Sequence, residues 1–118
     1  MYSIKVEGYF SAAHNLRGYK GKCESLHGHN WKVEVELCAD VLDKIGMLAD
    51  FKIIKKQLNA VLEKLDHSYL NKLAYFKKVN PTSENIAKFI YDHLALKVEG
   101  LDLVRVWESR GCSATYQK

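Results

Sequence analysis

The sequence predicts an α+β domain, with a four-stranded antiparallel sheet and two helices packed on one face, in the order ββααββ. Two periodicities and one bulk property lead there. Polar and apolar residues alternate near both ends of the chain, and apolar residues recur at helical spacing between Asp50 and Leu94. The 118 residues, 47% hydrophobic and without repeats or low-complexity tracts, are the size of one compact domain, residues 1–118, with a single core.

Tyr2, Ile4, Val6, Phe10 and Ala12 alternate with Ser3, Lys5, Glu7, Tyr9 and Ser11, so residues 2–14 read as a half-buried strand with His14 on the apolar parity. Beyond a Gly-containing basic loop over residues 15–22, Trp31, Val33, Val35, Leu37 and Ala39 alternate with Lys32, Glu34, Glu36, Cys38 and Asp40, giving a second strand over residues 29–41. His27 and His29 extend its apolar parity backwards. Asp50 is a suitable N-cap for a helix whose stripe is Phe51, Ile54, Leu58, Val61, Leu62 and Leu65, ending near Asp66-His67. Pro81 then breaks the chain, and Thr82 or Ser83 caps a second helix with Glu84 in its first turn and Ile86, Phe89, Ile90 and Leu94 on its buried face. His93 lies on that stripe with no second ligand beside it and reads as a hydrogen-bonded core histidine. Residues 101–109 and 112–117 complete the sheet around a tight turn at Arg110-Gly111.

Charge and cysteine content narrow the function. A net charge of +4 from scattered Lys and Arg fits a protein handling an anionic small molecule, and not the dense basic face of a nucleic-acid binder. No apolar run reaches the roughly 18 residues that span a bilayer, and the first residues lack a signal-peptide core, so no membrane partner and a cytoplasmic location are expected. Three irregularly spaced cysteines point to reduced thiols.

A hairpin joining the first two strands brings His14, His27 and His29 out on the core-facing side of the sheet near its loop end. Unpaired buried imidazoles are costly, whereas metal-bound ones are satisfied, so the three together read as a zinc site. Glu108 shares parity with Val104 and Val106, which aims a carboxylate at the apolar side. There it either faces the N–H groups of a ligand or pairs with Arg or Lys. Asp66-His67, taken alone, reads as a surface cap.

In order along the chain, Phe10-Ser-Ala-Ala-His14, Cys23-x-x-x-His27-Gly-His29-Asn30, Leu65-Asp-His67, Pro81-Thr-Ser-Glu-Asn85 and Glu108 resemble the successive signatures of the 6-pyruvoyltetrahydropterin synthase family. The three-residue gap between Cys23 and His27 resembles the bacterial and archaeal 6-carboxytetrahydropterin synthases of the queuosine and 7-deazaguanine pathway. A folate-pathway branch typically carries Glu where this chain has Cys23. The resemblance implies a tunnelling fold in which sheets of several subunits form barrels, commonly as a hexamer of two trimers, with active sites between subunits. It implies conversion of 7,8-dihydroneopterin triphosphate to 6-carboxytetrahydropterin, acetaldehyde and triphosphate.

On this reading three neutral imidazoles leave zinc an open position for the substrate's side-chain hydroxyls. Cys23 is then a general base whose thiolate is favoured near the dication, and the competing assignment makes it a fourth ligand of a closed structural site. By the family pattern Asp66 orients His67 as a proton relay, and Glu108 anchors the pterin through its 2-amino and ring N–H groups. Thr82 and Ser83 complete ring recognition at a helix start, and Arg17, Lys20 and Lys22 meet the triphosphate. The alternatives are a 6-pyruvoyltetrahydropterin synthase, which uses nearly the same residues, and a non-catalytic zinc-binding module.

Overall fold

The computed structural model describes residues 1–21 and 24–118. Strand β1 (Tyr2–His14) pairs antiparallel with β2 (His27–Ala39), with Phe10 opposite Trp31, Ala12 opposite His29 and His14 opposite His27. Helix α1 (Phe51–Leu62) follows, then β3 (Ser68–Tyr69), a 3-10 turn (Leu70–Lys72), α2 (Ala74–Lys78), α3 (Ser83–Leu94), β4 (Leu101–Ser109) and β5 (Cys112–Gln117). The sheet order is β3-β1-β2-β4-β5. The α+β class stands, but among the described residues the sheet has five strands and there are three helices where four and two were expected.

Each addition has a local cause. The β3 pair runs parallel to β1, with Ala12 opposite Ser68 and Ala13 opposite Tyr69. It is seated by the backbone of Ser11, which donates to Asp66 Oδ1 (2.8 Å) and accepts from the His67 N–H (2.6 Å). Helix α2 is five residues long with no side-chain cap, and buried Phe76 ties it to the core. The predicted strand 29–41 begins two residues earlier and ends at Ala39.

The period-two reading of β1 and β2 places Val6, Phe10, Ala12 and His14 on one buried face with Trp31, Val33, Val35 and Leu37. Against it pack Ile54, Leu58, Val61 and Leu62 of α1 and Ile86, Ile90 and Leu94 of α3. Gly8 also sits on the core parity, and a Cβ there would lie 2.8 Å from Leu62 Cδ1 and 3.1 Å from Leu58 Cδ2, so its missing side chain lets α1 close onto β1. Asp50 caps α1 by accepting from the Lys52 N–H, and Thr82 caps α3 by accepting from the Asn85 N–H at 3.1 Å. Phe51, counted on the α1 stripe, is 58% exposed because it opens the helix beyond the sheet's cover. Among the described residues no helix is long and apolar enough to cross a membrane.

The opposite face carries a polar ladder centred on Glu34, which is only 5% exposed. Its carboxylate accepts from Trp107 Nε1 (3.1 Å) and Arg105 Nη1 (3.3 Å), and Lys32 Nζ lies 3.3 Å away. Burial by itself raises the Glu34 pKa, but Lys32, Lys5 and Arg105 outweigh it and hold the carboxyl below its ordinary value. A depressed folded-state pKa contributes stability that is fully present above the unfolded value and is lost as pH falls through the folded one. Glu34→Gln is therefore expected to cost about 1–2 kcal/mol near neutral pH, and the gap to wild type should close in acid. Thermal unfolding of both proteins across that range measures this; a gap independent of pH would mean that the charge of Glu34 contributes nothing.

Candidate metal centre and its rim

The antiparallel register delivers His14 from the end of β1 and His27 and His29 from the start of β2 to one spot on the helix-covered face, and β4 delivers Glu108 to the same place. One ligand atom from each of the four lies within 4.8 Å of every other. His14 is 1% exposed. Its Nδ1 donates to the Pro81 carbonyl at 2.7 Å, and because a carbonyl only accepts, the proton is fixed on Nδ1 and the Nε2 lone pair faces the cluster. His27 is set the same way by the Ser25 carbonyl at 2.8 Å.

His14 Nε2 and His29 Nε2 are both buried and without a hydrogen-bond partner. Glu108 Oε1 approaches His29 Nε2 to 3.0 Å but out of line for a hydrogen bond, so the contact leaves that nitrogen unsatisfied. Burial holds the His29 imidazole below its ordinary pKa, opposed by the Glu108 carboxylate and reinforced by His14 and His27. Two orphaned nitrogens converging in a cluster of three imidazoles beside a carboxylate are a donor set that fits a divalent cation of the zinc type. Trp31, fully buried, forms the floor: its ring meets His14 and His29 edge to face at 5.0 and 5.1 Å, stacks on Phe10, and donates Nε1–H to the Ala12 carbonyl. Its parity with the two histidines was visible in the sequence.

Of the other predicted residues, Ser83 touches the cluster, donating its hydroxyl to Glu108 Oε2 at 3.2 Å. The Thr82 hydroxyl is engaged in the α3 cap. Asp66 and His67 are paired with each other, Oδ2 to Nδ1 at 2.9 Å, and are not part of the four-residue group. The Ser11 N–H, followed by His67, holds the Asp66 carboxyl below its ordinary pKa. His67 is 84% exposed at its side chain and has a left-handed backbone (φ 54°), a conformation costing about 1–2 kcal/mol outside glycine and imposed here by the Ser11 contacts. It lines a cavity of about 390 Å³ with Ser11, Gly28, Asn30 and His29 of the cluster. Cys23 and Lys22 lie outside the described residues.

Arg17 is engaged within the chain through its guanidinium. Its Nη2 donates to the carbonyls of Phe76 (2.6 Å) and Val79 (2.9 Å), where α2 ends and a cation is favoured. The Lys20 ammonium lies 5.5 Å from the centre of the Tyr19 ring. His93 is hydrogen-bonded as expected, with Nδ1 on the Phe89 carbonyl at 2.8 Å, but it is half-buried and lies outside the core.

The family model for 6-pyruvoyl tetrahydropterin synthase matches residues 3–118. A relative in Archaeoglobus fulgidus, provisionally named a 6-carboxy-5,6,7,8-tetrahydropterin synthase, is 43% identical over 106 residues, covering 90% of this chain and 87% of its own. The 6-carboxy-5,6,7,8-tetrahydropterin synthase of a Synechocystis strain is 38% identical over 122 residues, with 98% and 93% covered. The structure of Caenorhabditis elegans 6-pyruvoyl tetrahydropterin synthase superposes with a TM-score of 0.88 at 29% identity, over 99% of this chain and 95% of that one. With its histidine cluster set on that shared fold, the chain belongs to the 6-pyruvoyltetrahydropterin synthase family.

Proposed function

We propose that this chain is a zinc-dependent 6-carboxytetrahydropterin synthase, acting in 7-deazaguanine formation, that converts 7,8-dihydroneopterin triphosphate and water to 6-carboxytetrahydropterin, acetaldehyde and triphosphate. The observation that carries the reading is the convergence of His14, His27 and His29 with two buried, unpartnered Nε2 atoms beside Glu108. The Cys23-x-x-x-His27 spacing and the names of the two relatives favour the carboxy-forming branch over the pyruvoyl-forming one.

His14, His27 and His29 would hold the zinc, which when bound supplies Lewis-acid polarisation of the substrate's side-chain oxygens. Glu108 accepts from the pterin 2-amino and ring N–H groups, a charge-assisted pair that fixes the ring's orientation. Ser83 steadies one oxygen of that carboxylate through its 3.2 Å hydrogen bond, and α3, capped by Thr82, carries Ser83 to it. Cys23 takes protons from the side-chain carbons next to the ring. His67, oriented by Asp66 at 2.9 Å, passes protons onward. Subunits associate edge to edge to close a barrel, hexameric by the family pattern, with sites at subunit boundaries. Residues 2–10 on the outer side of β1 and the outer side of β5 have no strand partner among the described residues, and both are free for such pairing.

Zinc-loaded protein incubated with dihydroneopterin triphosphate is expected to yield a carboxylated tetrahydropterin and acetaldehyde by mass analysis. 6-Pyruvoyltetrahydropterin as the product would move the chain to the other branch, and no turnover would leave it a binding module. Cys23→Ala is expected to lower kcat by at least about 10²-fold with zinc content unchanged. Loss of zinc in that variant would make Cys23 a ligand and defeat the open-site mechanism. Glu108→Gln should weaken pterin binding by about 2 kcal/mol while zinc stays bound; an unchanged affinity would remove Glu108 from the ring pocket.

A further inference from the structure

We propose that Asn80, locked to Arg17, is a positioning residue that holds the metal ligand His14 and the ring anchor Glu108 in a common register; the inference rests on the zinc and pterin reading of the site. The Asn80 side chain forms a reciprocal pair with the backbone of Arg17: Oδ1 accepts from the Arg17 N–H at 2.8 Å and Nδ2 donates to the Arg17 carbonyl at 3.0 Å. These are the two bonds a neighbouring strand would make, so they fix both position and orientation. The Arg17 guanidinium reaches back to the carbonyls of Phe76 and Val79, tying down the segment that leads into Asn80.

Past that clamp, consecutive residues do different work. The Asn80 carbonyl accepts from Asn85 Nδ2 (2.9 Å) and from the Thr82 N–H (2.8 Å), which curls the chain over the start of α3. The Pro81 carbonyl accepts from His14 Nδ1, and the Ser83 hydroxyl donates to Glu108. His14 and Arg17 lie three residues apart on one side, and Pro81 and Asn80 are adjacent on the other. The two cross-contacts therefore close a small mechanical ring that contains the metal ligand. Opening it at Asn80 frees the Pro81 carbonyl and the Ser83 hydroxyl together, so metal affinity and ring affinity should fall together although Asn80 touches neither ligand.

The test uses the full chain with zinc and unsubstituted pterin as probes. Asn80→Ala is expected to weaken zinc about tenfold in competition with a chromophoric chelator, to alter the visible absorption spectrum of the cobalt-substituted protein, and to raise the pterin dissociation constant several-fold. Asn80→Asp, which keeps the acceptor for Arg17 and loses the donor, should fall between Asn80→Ala and wild type, and it carries the comparison if Asn80→Ala does not fold. Ser83→Ala should weaken pterin alone. A lowered melting temperature with both dissociation constants within about twofold of wild type would make Asn80 a structural tether only and overturn the proposal. That result is distinct from failure of the underlying reading, in which wild type and His14→Ala bind zinc equally weakly and the proposal falls with it.

Discussion

The site depends on the register of β1 against β2. In a sheet the side-chain period is two, so sliding β2 by one residue would carry His27 and His29 to the face opposite His14. Both faces hold the ladder against that slip. On the core side, Gly8 receives Leu58 and Leu62, and the Phe10 and Trp31 rings stack with their planes 3° apart at 5.7 Å. On the other side, charge pairs cross from β2 to β1, Lys32 Nζ lying 3.6 Å from Glu7 and Lys5 Nζ 4.0 Å from Glu34. The packing that makes the core and the charges that face away from it specify the same pairing, and the three imidazoles meet as a consequence.

That meeting is unfavourable for the protein alone. Each buried polar atom without a partner costs about 1–3 kcal/mol, and the cluster contains two. The cost is accepted with the donors already oriented: the Pro81 and Ser25 carbonyls fix the tautomers of His14 and His27, burial favours a neutral His29, and Trp31 braces two of the rings from beneath. A cation entering such a site recovers what folding left unsatisfied and meets rings that need not reorganise. With preorganisation of this kind, the residues beside the three histidines, and not the histidines alone, are expected to bear on cation affinity.

Long periodic elements were legible in the sequence, because alternation over thirteen residues and helical spacing over twelve leave little ambiguity. The three-histidine cluster was legible for the same reason, since His14, His27 and His29 each follow the parity of a strand; Glu108 was legible as a carboxylate aimed at the apolar side, but its place beside His29 was not. Ser68-Tyr69 was not, since two residues contain no period, and neither was Ala74–Lys78, one turn with no cap signal. The contacts of Arg17 were not legible because sequence shows a charge and not its partner. A basic residue in a Gly-containing loop suggests an anion, yet the guanidinium is engaged by two main-chain carbonyls. Asn80 was invisible as more than a turn residue, because an amide pairing with backbone 63 positions away leaves no local trace.

Asp66 and His67 join the site to the sheet's edge. Their geometry is set by Ser11, whose N–H and carbonyl face outward from β1 and hold the carboxylate and the strained His67 backbone in place. The pair is thus set at the β1 edge, where His67 faces a cavity that His29 of the cluster also lines. In the proposed assembly this same edge receives a strand from a neighbouring subunit, so the surroundings of the exposed His67 ring are decided by whatever docks there. An open edge normally invites indiscriminate pairing. Here β3 and the Asp66-His67 turn cap one end of β1 and leave residues 2–10 available, which limits both where a neighbour can begin and how far its pairing can run. The contacts that restrict the proposed assembly are therefore the contacts that aim the Asp66-His67 pair, and a change in one cannot leave the other untouched.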